Sequence, residues 1–180
     1  MNLGSPRALC FSTSAALLVI SLWPSEAFAW GPLAHLSFAS SSLENLGWLS
    51  HGTRQLLSRH AGEFLYGSVA ADIVLGKNLV RYASHCHNWL VGFRVLDRAR
   101  TDAQCAFSLG FLSHLAADTV AHNYFVPYKI VQGFPRRAGG HAYWELRYEQ
   151  RLSSQLWQVM RFASQARFRA HDGHLHECLA

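Results

Sequence analysis

The sequence has few charged residues, few β-branched residues outside short patches, and no paired cysteine motif. Charged side chains make up only 15% of the 180 residues, and the four cysteines include no Cys-x-x-Cys pair. The missing pair argues against a thiolate zinc site. Apolar positions recur at helical rather than alternating spacing, which disfavours a sheet, and there is no internal repeat. We therefore predict one all-α domain.

The most continuous apolar run at the N-terminus is too short to span a membrane. It extends from Ala15 to Leu22 and is followed by Pro24, whereas a membrane helix needs about 20 apolar residues. Arg7 before this run and the small-residue pattern from Ala27 to Ala29 after it are typical of a secretory signal peptide. We predict that residues 1–29 are the signal peptide and that cleavage follows Ala29.

Cleavage there would leave a domain of residues 30–180 that begins with Trp30, either in the periplasm or outside the cell. Its three cysteines, Cys86, Cys105 and Cys178, are an odd number, and the sequence does not fix their pairing. The formal net charge of +5 suits an anionic substrate such as a phosphate. The histidine-rich end carries no helix-stop signal, which leaves open whether the domain continues beyond Ala180.

Helical spacing, with breaks at Gly and Pro, predicts five main helices and one long loop. The loop is expected from Pro127 to Gly140, between the two longest helices. The predicted helices cover Leu33 to Leu46, Thr53 to Ala71, Asn88 to Arg98, Ala103 to Phe125 and His141 to Arg169.

Histidine is unusually frequent, with 11 copies in the chain, and its spacing carries chemical information. His114, Asp118 and His122 stand four residues apart, and each such step drifts only about 40° around a helix. The three polar groups are therefore predicted to share one helix face. Apolar neighbours such as Leu115 and Val120 place that face near the core, where unpaired polar groups are costly.

A second pair, His141 and Glu145, repeats the four-residue spacing at the start of the next predicted helix. Imidazole and carboxylate are ligands that zinc accepts, and this spacing lets one helix supply two of them. A single histidine on an apolar face is more often a hydrogen-bonded core residue. Two linked pairs, together with Asp72 and the segment from His85 to His87, favour a metal site.

The ordered set of candidate ligands resembles the zinc-dependent phospholipase C family. The set begins with Trp30 to His35 at the expected mature N-terminus and continues through Asp72 and His85 to the two spaced pairs. The resemblance spans nearly all of residues 30–180. It implies a compact helical bundle that holds up to three zinc ions, a fold that single-strand-specific zinc nucleases share.

The resemblance also implies which residues hold each ion. Asp118 would bridge two ions, and Asp72 would orient or deprotonate the attacking water as the catalytic residue. His87 could replace His85, although the Ser-His-x-x-Asn pattern favours His85. The implied ligands are Asp72, His85, His114 and Asp118 for the first zinc, His122, His141 and Glu145 for the second, and Trp30, His35 and Asp118 for the third.

The function implied by the resemblance is hydrolysis of a phosphodiester in phospholipid headgroups, with the membrane surface as partner and no obligate protein partner. The short spacings from Asp118 to His122 and from Trp30 to His35 look closer to the glycosylphosphatidylinositol-specific phospholipase D branch than to the bacterial phospholipases C. Two alternatives stay open: a single-strand-specific zinc nuclease that binds nucleic acid, although no basic stripe is present, and a zinc-binding protein without turnover.

Overall fold

The computed structural model describes residues 30–74, 85–132 and 140–179, without the side chains of residues 140–142 and 145. Every regular element in these ranges is a helix, which confirms the all-α prediction. None of the helices described there has the length and apolar character needed to cross a bilayer. The predicted signal peptide lies outside the described residues.

The chain forms a succession of short and medium helices joined by tight turns. In the described ranges, one π-helical turn, Ala121–Phe125, and two 3-10 turns, Leu46–Trp48 and Ala166–Arg169, interrupt the α-helices. The α-helices are α1 (Pro32–Glu44), α2 (His51–Arg59), α3 (Ala61–Ile73), α4 (Trp89–Asp97), α5 (Asp102–Val120), α6 (Val126–Gln132), α7 (Gly140–Glu149), α8 (Leu156–Ala163) and α9 (Ala170–Leu179).

Several boundaries differ from those predicted. The second predicted helix is split at His60, and the last one is divided into α7 and α8 by a turn in which the Ser153 hydroxyl accepts a hydrogen bond from the Gln155 amide. Part of the predicted loop is helical, since α6 continues to Gln132. Pro127 is the second residue of α6, directly after the π-helical turn, and its lack of a backbone N–H removes one hydrogen bond at this junction.

Polar side chains begin several helices by accepting hydrogen bonds from first-turn amides. Thr101 caps α5 through the amide of Gln104, and Asn88 caps α4 through the amide of Leu90 at 2.8 Å. The Asn88 cap fixes the direction in which the chain enters α4. It therefore also fixes the backbone around His87, the residue just before it.

Helices α3 and α5 touch backbone to backbone at a pair of glycines. A Cβ atom added to Gly67 would lie 2.0 Å from the carbonyl oxygen of Phe107, and one added to Gly110 would lie 2.0 Å from that of Phe64. Only glycine permits so close an approach. The contact holds Asp72, near the end of α3, beside the histidine-bearing half of α5.

The main hydrophobic core surrounds this helix crossing, and a smaller aromatic cluster lies beside it. The core includes Leu36, Val69, Val91, Phe107 and Phe111, all buried. The smaller cluster is centred on the indole of Trp30 and contains Phe38, Phe125 and Tyr148. Helix α1 contributes to both clusters, so its position is fixed from two sides.

Candidate metal centre

Five polar side chains from four segments meet in the interior of the helical bundle. His35 comes from α1, Asp72 from α3, His87 from the turn before α4, and His114 and Asp118 from α5. The fractional exposures of His35, His114 and Asp118 are 2%, 1% and 9%. We call these five residues the His–Asp cluster.

Asp118 is the residue that connects the cluster, because its carboxylate faces three imidazole rings. Its Oδ1 lies 3.2 Å from His35 Nε2. Its Oδ2 lies 3.3 Å from His114 Nε2 and 3.6 Å from His87 Nε2. One carboxylate is thus placed to serve two adjacent positions, one through each oxygen.

Asp72 closes the cluster from the opposite helix. Its Oδ1 lies 3.3 Å from His87 Nε2, and its Oδ2 lies 4.0 Å from His35 Nε2. The Nε2 atoms of His87 and His114 are 3.2 Å apart. Three imidazole nitrogens and two carboxylates therefore surround a space of a few ångströms, which is the scale of metal coordination.

Two overlapping sets of three ligands have the spacing that a single ion requires. Within each set the nitrogen and oxygen atoms lie within 4.8 Å of one another. The two sets are His35, Asp72 and His114, and His87, His114 and Asp118.

The unsatisfied polar atoms of the cluster fit a bound cation. Neither ring nitrogen of His35 makes a hydrogen bond to any described residue, and the same holds for Asp118 Oδ1, although all three atoms are buried. His35 Nε2 and Asp118 Oδ1 lie 3.2 Å apart without hydrogen-bond geometry. Such atoms are costly unless they are paired. An ion between them would satisfy both, and zinc accepts this mixture of imidazole and carboxylate.

The cluster shifts the pKa values of its members in directions that favour a negative carboxylate. Burial lowers the pKa of His35, and contact with Asp118 offsets this only in part. Burial also acts to lower the pKa of His114, but the hydrogen bond and charge of Asp118, together with Asp72, raise it overall. Burial would raise the pKa of Asp118, yet its two histidine partners hold it well below the usual range. A metal bound at His114 would therefore displace a proton from that ring.

Backbone contacts orient His114 within the cluster. Its Nδ1 donates a hydrogen bond to the carbonyl oxygen of Ser68 on α3, at 2.9 Å. This leaves the lone pair of Nε2 facing the carboxylates, which is the arrangement that metal-binding histidines usually show. The ring also stacks on His35, with 3.7 Å between ring centroids and 20° between planes.

The structure brings most of the ligands predicted for the first zinc together, with one exchange. His87, the alternative to His85, points its Nε2 into the cluster. His85 instead accepts a hydrogen bond from the His87 amide through Nδ1, at 3.2 Å. In the structure His87, rather than the preferred His85, faces the cluster, while the choice of zinc ligand between them stays a prediction. The two residues stand two positions apart in an irregular turn, where the sequence alone does not fix which side chain faces the cluster.

The ligands predicted for the second zinc are placed only in part. His122 lies in the π-helical turn and is exposed, whereas His114 and Asp118 are buried. The turn has more residues per turn than an α-helix and rotates the side chains that follow it. The side chains of His141 and Glu145 lie outside the described residues. This second set stays a prediction.

Trp30, predicted to hold the third zinc, lies close in space to the backbone beside Asp118. Its indole packs on Phe125 and Tyr148, with 4.6 Å and 4.4 Å between ring centroids. Its Nε1 donates to the carbonyl oxygen of Ala117, the residue before Asp118, at 3.2 Å. Ligation by its amine and carbonyl stays a prediction, while the indole fixes the start of the domain beside the cluster.

A carboxylate that the sequence interpretation missed lies at the same end of α1. Glu149 Oε1 accepts a hydrogen bond from the Leu33 amide at 3.1 Å. A Cβ atom at Gly31 would lie 2.0 Å from that oxygen, so a side chain at this position would displace the Glu149 carboxylate. Gly31, directly after Trp30, is visible in the sequence. Nothing in the sequence indicates that it packs against Glu149, more than 100 residues away.

A pocket opens onto the cluster beside His35. Its volume is about 380 Å³, and its wall is mostly apolar. A larger pocket of about 620 Å³ between α4 and α9 has no residue of the cluster in its wall, so pocket size does not locate the chemistry. The residues that line the smaller pocket are Trp30, His35, Phe38, Ala39, Ser42, Ser113, Ala116, Ala117 and Val120.

The fold and the cluster together define a helical protein with a buried group of nitrogen and oxygen ligands that could hold a metal ion. Residues 34–178 match the family model described as zinc dependent phospholipase C, and the chain belongs to that family. The match includes every residue of the His–Asp cluster and confirms the resemblance seen in the sequence. No curated protein and no solved structure matches the chain.

Proposed function

We propose that this protein is a zinc-dependent phosphodiester hydrolase of the phospholipase C type, which acts on the headgroups of membrane phospholipids. The observation that supports this most strongly is the Asp118 carboxylate, buried and shared among His35, His87 and His114 at 3.2 to 3.6 Å. Such a site suits two metal ions bridged by one carboxylate. The family supplies the class of reaction.

The residues of the cluster have separate roles in this proposal. His87, His114, Asp72 and Asp118 would hold one zinc, and His35 with Asp118 would hold another together with Trp30. Bound zinc would lower the pKa of a water ligand and stabilise the charge that develops on the phosphate oxygens. Asp72 would orient or deprotonate the attacking water through the oxygen that it does not use as a ligand.

A second set of ligands completes the centre in this proposal. His122, His141 and Glu145 would bind a further ion, for up to three in all. The π-helical turn that carries His122 supports this role, since π-helical turns in proteins often occur at functional sites.

Export and cleavage after Ala29 are part of the same proposal, because they create the amine that Trp30 would use. A free α-amino group titrates at roughly 7.7 to 8.0, so its binding to zinc would release a proton near neutral pH. The buried indole of Trp30 and the close fit of Gly31 against Glu149 would hold the new terminus in one place. The mature protein would act in the periplasm or outside the cell.

Exposed apolar side chains close to the cluster support a lipid substrate. Trp89, Leu90 and Phe93, at the start of α4 just after His87, are 40%, 67% and 56% exposed. Trp89 and Phe93 form a ring pair with 5.7 Å between centroids. Exposed apolar groups of this size often mark contact surfaces, and tryptophan favours the interface between water and lipid.

The test is hydrolysis by the exported protein, after its N-terminal residue has been determined. Protein loaded with zinc is assayed on phosphatidylcholine vesicles and on single-stranded DNA, with Asp118→Asn as the inactive comparison. Release of a phosphorylated headgroup supports phospholipase C activity, and release of phosphatidic acid supports the phospholipase D branch. Cleavage of DNA alone, or zinc binding without turnover on either substrate, would overturn the proposal.

A further inference from the structure

His87 is held on both sides of its imidazole ring. Its Nε2 faces Asp72, Asp118 and His114 in the cluster, while its Nδ1 lies 3.3 Å from the Sγ atom of Cys86. Cys86 is the preceding residue and is only 1% exposed. The thiol therefore lies on the side of the ring that faces away from the metal centre.

The same thiol makes a second contact that sets its direction. Cys86 Sγ lies 3.3 Å from the carbonyl oxygen of Ala71 and donates its proton to it. A thiol has one proton and a weak acceptor sulfur. Because that proton is directed at Ala71, the hydrogen bond to His87 needs an Nδ1–H donor and a sulfur acceptor. The ring nitrogen on the opposite side, Nε2, is then left with a lone pair.

We propose that Cys86 is a positioning residue for the metal centre: its thiol fixes the ring orientation and the tautomer of His87, so that Nε2 is presented as a ligand. The inference rests on the proposed zinc site, but it concerns metal affinity rather than the reaction. Metal-binding histidines commonly donate their second N–H to an oxygen acceptor. Here a buried sulfur serves as that acceptor.

Helix α3 orients the other ligands in a matching way. Its carbonyl at Ser68 accepts the Nδ1–H of His114 directly, at 2.9 Å, and its carbonyl at Ala71 holds His87 through the Cys86 thiol. Asp72, the next residue on α3, contributes a carboxylate. Three contacts thus come from little more than one turn of a single helix, whose position is fixed by its close packing on α5.

The geometry also distinguishes this role from direct ligation by sulfur. His85, Cys86 and His87 have ligand atoms within 4.8 Å of one another, so a separate metal site at this turn is the competing interpretation. A thiolate ligand, however, would lie 3.3 Å from the Ala71 carbonyl oxygen. Its negative charge would be repelled by the negative end of the carbonyl dipole. Cys86 is also part of the hydrophobic core, which favours the uncharged thiol.

The test compares three substitutions at this position. Cys86→Ser keeps a donor and an acceptor, whereas Cys86→Ala and Cys86→Val remove both, the valine without leaving a cavity. Zinc affinity is measured by competition with a chromophoric chelator on the full mature protein. We expect Cys86→Ala and Cys86→Val to lose roughly 10- to 100-fold in affinity at one ion, and Cys86→Ser to stay close to wild type. Cys105→Ser, at the half-buried cysteine of α5, is the control and should change nothing.

A spectroscopic measurement separates orientation from general destabilisation. The ¹⁵N chemical shifts of His87 in the zinc-loaded protein should show Nδ1 protonated in wild type and Cys86→Ser. Wild-type affinity in Cys86→Val, or a thiolate-to-metal band in the cobalt-loaded protein that Cys86→Ser removes, would overturn the proposal. Both measurements stand without any hydrolysis, so failure of the proposed phospholipase activity would leave them interpretable.

Discussion

Two groups of buried histidines occupy different parts of the molecule and have different surroundings. His35 and His114 belong to the His–Asp cluster between α1, α3 and α5, and His171 and His174 lie on α9. All four side chains are buried. Burial therefore does not distinguish a metal-binding histidine from a structural one in this protein.

The α9 histidines are satisfied by packing and by backbone. The ring of His171 stacks on Phe107, with 5.0 Å between centroids and 12° between planes. His174 Nε2 donates a hydrogen bond to the carbonyl oxygen of Val95 at 2.9 Å. These contacts attach α9 to α4 and α5. They require no ion.

The cluster histidines differ in what their nitrogens face. The ring nitrogens of His35 make no hydrogen bond to the described residues, and His114 directs Nε2 at Asp118 and at another imidazole. Convergence on a shared carboxylate, rather than burial, thus identifies the candidate metal centre. Changes to matched pairs of histidines and carboxylates test this distinction.

The largest effect is expected for Asp118→Asn, which removes the charge shared by three imidazoles. Partners of metal ligands contribute about 10- to 100-fold to metal affinity, so loss of this shared ligand should exceed about 100-fold. Zinc content after dialysis and hydrolysis of phosphatidylcholine would both fall. His174→Asn is the control at a buried histidine without carboxylates. Wild-type zinc content in Asp118→Asn would refute the assignment of the centre.

The next effect is the change of thermal stability when zinc is removed. A ligand at about 100 times its Kd stabilises the folded state by about 2.7 kcal/mol, which corresponds to roughly 5 to 10 °C in Tm for a domain of this size. Scans with zinc and with a chelator should differ by this amount in wild type and in His171→Gln. The difference should be smaller in His114→Asn, which removes a ligand of one ion. An undiminished zinc effect in His114→Asn would move the centre elsewhere.

A smaller effect is expected when the α9 anchor is removed. His174→Ala deletes a buried hydrogen bond and leaves a cavity, which should cost about 1 to 3 kcal/mol of the free energy of unfolding. Urea unfolding of the chelated protein measures it. His176→Ala, at an exposed histidine on the same helix, should have almost no effect. Loss of zinc affinity in His174→Ala would mean that the two groups of histidines are coupled.

The position of the cluster histidines could be predicted from the sequence where regular helix geometry applies. The spacing of His114 and Asp118 on an apolar background predicted a buried polar face, and both residues are buried there. His122 lies beyond the end of α5 at Val120, in a π-helical turn, so the four-residue spacing alone does not fix the direction of its side chain. A four-residue spacing predicts a shared face only while the helix stays α-helical.

The contributions from distant segments could not be predicted from local patterns. The choice between His85 and His87 depends on an irregular turn and on the Asn88 cap after it. The close contact at Gly67 and Gly110, which brings Asp72 to the cluster, requires knowledge of which helices cross. The family resemblance supplied the ligand set in advance, but only packing determines which atoms meet.

The smallest effect concerns the pH dependence of stability in the metal-free protein. Burial lowers the pKa of His171 below its ordinary value, and the nearby Glu63 and Asp172 offset this only in part, while His174 and His60 add to it. A lowered pKa in the folded state means that His171 favours folding when it is neutral. The contribution of His171 to the free energy of unfolding is therefore complete above about pH 6.5. It is lost as the pH falls through the lowered pKa of His171 in the folded state.

His171→Gln should accordingly flatten the decline in the free energy of unfolding between pH 7 and pH 5, measured by urea titration in the presence of a chelator. The comparison must be the difference between the two curves, because His35 shifts in the same direction as His171 and His114 in the opposite one. Parallel curves for wild type and His171→Gln would show that His171 is neutral or charged equally in both states. Its stack on Phe107 would then act through packing alone.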